Sequence, residues 1–225
     1  MVFADLSAFE MSAIFPKWTN WLPLVLALVA ALAGGAVTAG VVIYVTPKYY
    51  RVGYQPVQPV PFSHKIHAGQ LGLDCRYCHS NVDKSWVANI PSASTCMNCH
   101  NQVLKDDPRL AIVRESATNN TPIPWVQIHI VPDYVYFNHS VHVRRGVGCV
   151  SCHGQINEMP VVRHAEPLSM SWCLECHRAP EAALRPVGEV TNMNWKPDGE
   201  QRARGSELAR AWNVQPPKDC SGCHR

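Results

Sequence analysis

The chain has 225 residues, 20 Lys and Arg against 17 Asp and Glu, a formal charge of +3 and a hydrophobic content of 47%. That length allows one or two domains, and so small a basic excess gives a nucleic-acid partner no support. The hydrophobic content overstates the core, because much of it lies in one run near the N-terminus.

Residues 1–21 mix apolar groups with Asp5, Glu10 and Lys17 and are expected along a cytoplasmic interface or against a partner. From Leu22 to Val45 there is no charge over 24 residues, which at about 1.5 Å per residue crosses a hydrocarbon layer about 30 Å thick. A transmembrane helix is therefore expected over 22–46, with Trp18 and Trp21 at one interface and Tyr44, Tyr49 and Tyr50 at the other. A cleaved export signal is the rival, but the run is long and a lone Lys17 beside two acids is a poor signal N-region. Ala27, Ala31, Gly35 and Ala39 make a stripe of small residues that lets a second helix approach; the alternative is an alanine-rich lipid anchor with no partner. Lys48 and Arg51 follow the run, which by itself points the C-terminal side inward. The cysteine motifs beyond the tether, whose chemistry is assembled outside the cytoplasmic membrane, outweigh that bias. Pro47, Pro56, Pro59 and Pro61 make residues 47–61 a stiff tether.

Beyond the tether, the pentapeptide Cys-x-x-Cys-His occurs at Cys75–His79, Cys96–His100, Cys149–His153, Cys173–His177 and Cys220–His224, using all 10 cysteines. Two thiols three residues apart share one face of a helical turn, where each can bond a haem vinyl group while the adjacent imidazole reaches the iron. A zinc knuckle or a dithiol redox pair uses a single such pair as well, but five copies with no cysteine left over point to c-type haem. Five haems add propionates worth about −10 and ferric cores worth about +5, so the oxidised holoprotein should carry about −2 and the reduced form about −7.

The expected fold is mainly α with extensive coil, with the porphyrins as the core and short helices on the pentapeptides. Residues 62–124 form a dihaem module and linker, and 125–225 a trihaem module. Ser94 and Ser171 are candidate N-caps, Lys105–Pro124 reads as a loop, and the longest helix of this part is expected near Glu200–Trp212.

Of the 11 histidines, six stand outside the motifs: His64, His67, His129, His139, His142 and His164. Phe62-Ser63-His64-Lys65-Ile66-His67 recurs as Phe137-Asn138-His139-Ser140-Val141-His142, each shortly before a pentapeptide. A three-residue helical step turns side chains by about 300°, so the two imidazoles of a pair can serve different porphyrins. His129 is expected to be a hydrogen-bonded structural residue, with ligation of haem two or three as its rival. Met159, Met170 and Met193 read as packing before axial ligation, and Trp86, Tyr136, Trp172 and Trp195 as packing before tunnelling aids. Arg144 and Arg145 read equally as propionate partners or as a solvated charge pair.

The order of Phe137-x-His139-x-x-His142, Cys149–His153, His164, Cys173–His177 and Cys220–His224 resembles the small trihaem class III cytochromes c. That resemblance implies His139 with His153, His142 with His177 and His164 with His224, and by extension His64 with His79 and His67 with His100. Over residues 22–225 the anchor and the phrases around Phe62–Cys75, Pro91–His100 and Pro132–His139 resemble the pentahaem cytochrome c subunit of bacterial alternative complex III. The resemblance implies a quinol-oxidising assembly with an iron–sulfur subunit, polytopic membrane subunits and often a monohaem cytochrome c, delivering electrons to a periplasmic acceptor protein. Two rivals remain at this stage: a multihaem reductase with one open iron, and a stand-alone anchored quinol dehydrogenase cytochrome with a quinone pocket near Pro47–Pro61.

Overall fold

Short helices or turns cover the Cys-x-x-Cys-His segments, and coil joins them. The computed structural model describes residues 15–45 and 51–224. The expectations for residues 1–14, Pro47, Lys48, Tyr49 and Tyr50, and for the side chain of Tyr44, lie outside the described residues. The chain divides into two compact units, Met1–Pro47 and Lys48–Arg225.

In the first unit a 3₁₀ turn, Lys17–Trp21, leads into helix α1, Leu22–Val45. The stretch Lys17–Val42 has a mean hydropathy of 2.3, long and apolar enough to cross a membrane. Pro23 falls in the first turn, where no N–H is needed. Its described apolar side chains, Leu24, Leu28 and Leu32 among them, are exposed.

The second unit contains α2 (Cys75–Cys78), α3 (Ala93–His100), α4 (Ala111–Asn119), α5 (His139–Arg144), α6 (Val150–His153), α7 (Met170–Arg178) and α8 (Gln201–Ala211). No strand occurs among the described residues; two isolated antiparallel bridges, Val135 with His224 and Val147 with Leu184, are all the sheet there is. Mainly helical structure with extensive coil is thus what the sequence led us to expect, and α8 lies where the longest helix of this part was placed. The apolar core is thin. Val60, Ala93 and Val113 form one buried cluster and Val82, Val143 and Val190 another.

Two expectations need correction. Lys105–Pro124 is not a loop throughout: Asp107 accepts from the Arg109 N–H at 2.8 Å, Pro108 opens a 3₁₀ turn, and α4 follows. Its Val113 is 2% exposed, and that burial makes a helix out of a stretch read as linker. The caps of α3 and α7 are Ser92 and Ser169, each two residues before the serine expected, because both helices start earlier than their cysteines require. Only Ser169 caps with its side chain, accepting from Trp172 N–H at 3.3 Å; the Ser92 hydroxyl pairs with Ser94 instead. Arg144 and Arg145, both exposed, donate to the carbonyls of Asp83 and Trp212, each at 2.7 Å, and so tie distant segments together.

Close approach is bought at α8 with a glycine: a Cβ on Gly205 would land on the Glu181 carbonyl, so the helix lies directly against the turn Pro180–Ala182.

Candidate haem-binding site

The two Phe-x-His-x-x-His segments build the same local device. Phe62 meets the His64 ring edge-on (4.9 Å, 89°) and stacks on His67 (4.4 Å, 24°). Phe137 treats His139 (4.7 Å, 83°) and His142 (4.9 Å, 29°) in the same way. One phenyl ring thus orients two imidazoles that face different directions. The second histidine of each pair is locked further by a hydrogen bond from its Nδ1 to the carbonyl four residues back: His67 to Ser63 at 2.8 Å and His142 to Asn138 at 2.7 Å. The first segment continues as a π-helical turn, Lys65–Gln70, an arrangement common where a helix must re-aim side chains at a functional site. In the second, Asn138 caps α5 by accepting from the Ser140 N–H at 2.9 Å.

The pentapeptides are positioned by caps of their own. Asp74 accepts from the Arg76 N–H at 2.8 Å ahead of Cys75, and Asp219 from the Gly222 N–H at 2.8 Å ahead of Cys220. The histidines that end three of the motifs send Nδ1 to backbone carbonyls: His79 to Asn89 (2.6 Å), His100 to Val103 (2.9 Å) and His177 to Pro217 (2.7 Å). A ring so bound has its tautomer and orientation set, and Nε2 is left to bind a metal.

Facing rings complete the geometry. His64 and His79 lie 6.5 Å apart between ring centres and 3° from parallel; His67 and His100 are 6.2 Å apart, His142 and His177 6.1 Å. An iron bound on both sides at about 2 Å, with about 1.1 Å from each nitrogen to its ring centre, requires about 6.2 Å. The residues therefore fit a haem iron between two imidazoles. Burial pushes His64 down to about 4, with His79, His67 and His129 adding to it, and it lowers His139 and His142 too. These rings are neutral at neutral pH, as a metal ligand must be.

Around His153 the arrangement differs. Burial, then His129, His139, His79 and His64, push it down to about 3, and its Nδ1 is buried without a hydrogen-bond partner. The His129 ring stands against it at 4.5 Å and 80°, and stacks on His164 at 5.2 Å. The His129 Nε2 is buried without a hydrogen-bond partner. His139, the ligand expected from the resemblance, is held by its Nδ1 on the Trp86 carbonyl at 2.9 Å. His164 is 1% exposed and bonded through its backbone to Gly53 and Tyr54, while His224 carries the Tyr134 ring at 5.8 Å. Met159 and Met193 are buried, in keeping with packing; Met170 is exposed at 63% and does not pack. Phe62 and Phe137 are the functional residues that histidine counting passed over, although they open the very repeat that revealed the histidine pairs.

Paired cysteines, each set beside a histidine and most of them beside facing imidazoles, define a class: a multihaem c-type cytochrome, which carries electrons on covalently bound haem. The chain belongs to the family of cytochrome c7 and related cytochromes c, which it matches over residues 60–120 and 135–225. It is also 37% identical over 100 residues to a protein described as the multiheme cytochrome c subunit of menaquinone reductase in Nitratidesulfovibrio vulgaris. That match covers 44% of this chain and 47% of the relative, so the chain spans about half the length of the relative it matches.

Proposed function

We propose that this protein is a membrane-anchored pentahaem cytochrome that passes electrons from a quinol-oxidising membrane complex of the alternative complex III type toward a periplasmic acceptor. The observation that carries the reading is the set of three imidazole pairs spaced 6.1–6.5 Å apart, each ending on a Cys-x-x-Cys-His histidine. Bound haem supplies one-electron exchange between ferric and ferrous iron. The chain's own residues do the rest. Cys75 and Cys78, Cys96 and Cys99, Cys149 and Cys152, Cys173 and Cys176, and Cys220 and Cys223 attach five haems. His79, His100, His153, His177 and His224 hold one face of each iron. His64, His67, His139, His142 and His164 close the other, so that no iron is left open for a substrate.

Family matches in two blocks, 60–120 and 135–225, support a dihaem module within 62–124 and a trihaem module within 125–225. Helix α1 supports a single-pass anchor within 22–46, and thioether attachment outside the cytoplasmic membrane puts the haem modules on its outer side. The relative, a menaquinone reductase subunit, supports a quinone-linked assembly. Its partners here would be iron–sulfur and polytopic quinol-oxidising subunits, and a monohaem cytochrome c.

The reading is tested on protein extracted gently from membranes. Co-purification of such subunits, reduction by a quinol, and haem spectra that are low-spin and indifferent to cyanide are expected. An isolated protein with a cyanide-binding high-spin haem would replace it with a multihaem reductase.

A further inference from the structure

Numbered one to five along the chain, the attachment sites do not keep that order in space. Cys75 of site one and Cys149 of site three lie beside each other. Cys78 of site one lies within electrostatic reach of Cys96 and Cys99 of site two. Cys152 of site three is similarly close to Cys176 and Cys173 of site four, and Cys173 of site four to Cys223 of site five.

Hydrogen bonds away from the thiols join sites two and one, one and three, and four and five again, and the bridge of Val147 with Leu184 joins the segments beside sites three and four. Asn98, inside the site-two pentapeptide, donates to the Tyr77 hydroxyl inside site one at 3.0 Å. Two successive residues clamp sites one and three: the Thr191 hydroxyl donates to Asp74 at 2.9 Å, and the Val190 carbonyl accepts from the Cys149 N–H at 2.9 Å. Val190 also shares a buried cluster with Val82 and Val143, which flank those two sites. His177 of site four donates to the carbonyl of Pro217, three residues before Cys220 of site five, at 2.7 Å.

Exposure marks the two ends independently. Cys99 of site two and Cys220 of site five are exposed, whereas the other eight cysteines are half-buried. At site three the His153 Nδ1 is buried.

We propose that the five sites form one unbranched relay in the order two, one, three, four, five, with sites two and five as its open ends. The proposal rests on the pentahaem reading above. Each step moves one electron from a ferrous to the neighbouring ferric centre, with no bond made and no proton moved. A one-electron redox centre of one partner protein supplies electrons at one exposed end, and a one-electron protein acceptor removes them at the other. Site three is then the joint through which all flow between the two modules passes, and site two, although it comes next to site three along the chain, is separated from it by site one.

The test is an anomalous-scattering map at the iron edge on crystals of the full holoprotein, each iron being assigned by the thioethers beside it. Five peaks are expected, with site one nearer than site two to site three, and with sites two and five each having a single near neighbour. Five peaks with site two beside site three, or with a branch, overturn the relay and leave the pentahaem reading intact. Fewer than five peaks overturn both. A second measurement needs no crystal: His67→Met at site two should shift the site-one midpoint potential and leave sites three to five unchanged, whereas a shift at site three overturns the order.

Discussion

Phe62 and Phe137 stand at the same place in two different regions, and the regions use them with different completeness. In the first, both histidines of the repeat face a pentapeptide histidine, His64 at 6.5 Å from His79 and His67 at 6.2 Å from His100. In the second, His142 meets His177 at 6.1 Å, but the ring against His153 is that of His129, and the ring against His224 is that of Tyr134. The difference shows which part of a haem site is local. A phenyl ring, a carbonyl four residues back and a helical step orient two imidazoles wherever the hexapeptide occurs. What those imidazoles then meet depends on segments many residues away, and the second region receives more of them.

The largest expected effect breaks a pair in each region. His67→Gln and His142→Gln should each leave one iron without an imidazole, converting about a fifth of the low-spin haem signal to high-spin in electron paramagnetic resonance and resonance Raman spectra. Equal losses in the two variants would mean that the second histidine plays one role in both halves; an unchanged spectrum in either would sink that pairing.

A sharper contrast lies at site three. His139→Gln should give the same high-spin conversion, because its Nδ1 is anchored on the Trp86 carbonyl and its Nε2 is left for iron. His129→Gln should keep all haems low-spin while altering the line shape of one. The opposite outcome would assign His129 as the ligand and remove His139 from the set.

Smaller effects come from the shared phenyl. Phe62→Leu and Phe137→Leu should keep every iron six-coordinate, rotate the imidazoles of two sites each and shift the g-values of those two haems. Each should cost about 1 kcal/mol in chemical denaturation, the usual worth of such ring contacts. Changes confined to one haem would mean that the phenyl does not serve the pair.

The smallest effect concerns the caps, one in each region. The Arg109 side-chain hydrogen bond holds Asp107 down to about 2, below the usual carboxylate range, and the Ser221 hydroxyl lowers Asp219. A native pKa below the unfolded one means that the stabilisation is present above about pH 4 and is lost as the pH falls toward 2. Asp107→Asn should therefore lower the melting temperature slightly at pH 7, and the gap from the parent should close on acidification. A gap that stayed constant with pH would show that the carboxylate charge is not what the cap uses. Asp219→Asn should behave alike if the two regions cap by the same physics.

Legibility differed between these features for reasons that can be named. The ten thiols and the Phe-x-His-x-x-His repeat are covalent and local facts, visible as spacing. Helix α4 was missed because its sequence has no strong start signal beyond Asp107-Pro108, and the burial of Val113 against Val60 and Ala93 supplies what propensity lacks. The caps at Ser92 and Ser169 were misplaced by two residues because several serines precede each motif and only packing chooses among them. Arg144 and Arg145 were read as charges, yet their partners are carbonyls 61 and 67 residues distant in the chain, at separations that no local pattern encodes.

By itself, then, the sequence determined the apolar N-terminal helix, the mainly helical and coil-rich fold, the five Cys-x-x-Cys-His motifs and the two Phe-x-His-x-x-His segments, since each follows from residue types at short, fixed spacings. Only the tertiary structure decided that Cys75 lies beside Cys149, that His129 stands against His153 and that Asn98 reaches the Tyr77 hydroxyl. Those neighbours are brought together by hydrogen bonds and buried valines that link residues more than a hundred positions apart, such as Thr191 with Asp74. Spacing along a chain carries no information about which distant segments will pack together, because that choice is made by the total burial and hydrogen bonding of the folded whole.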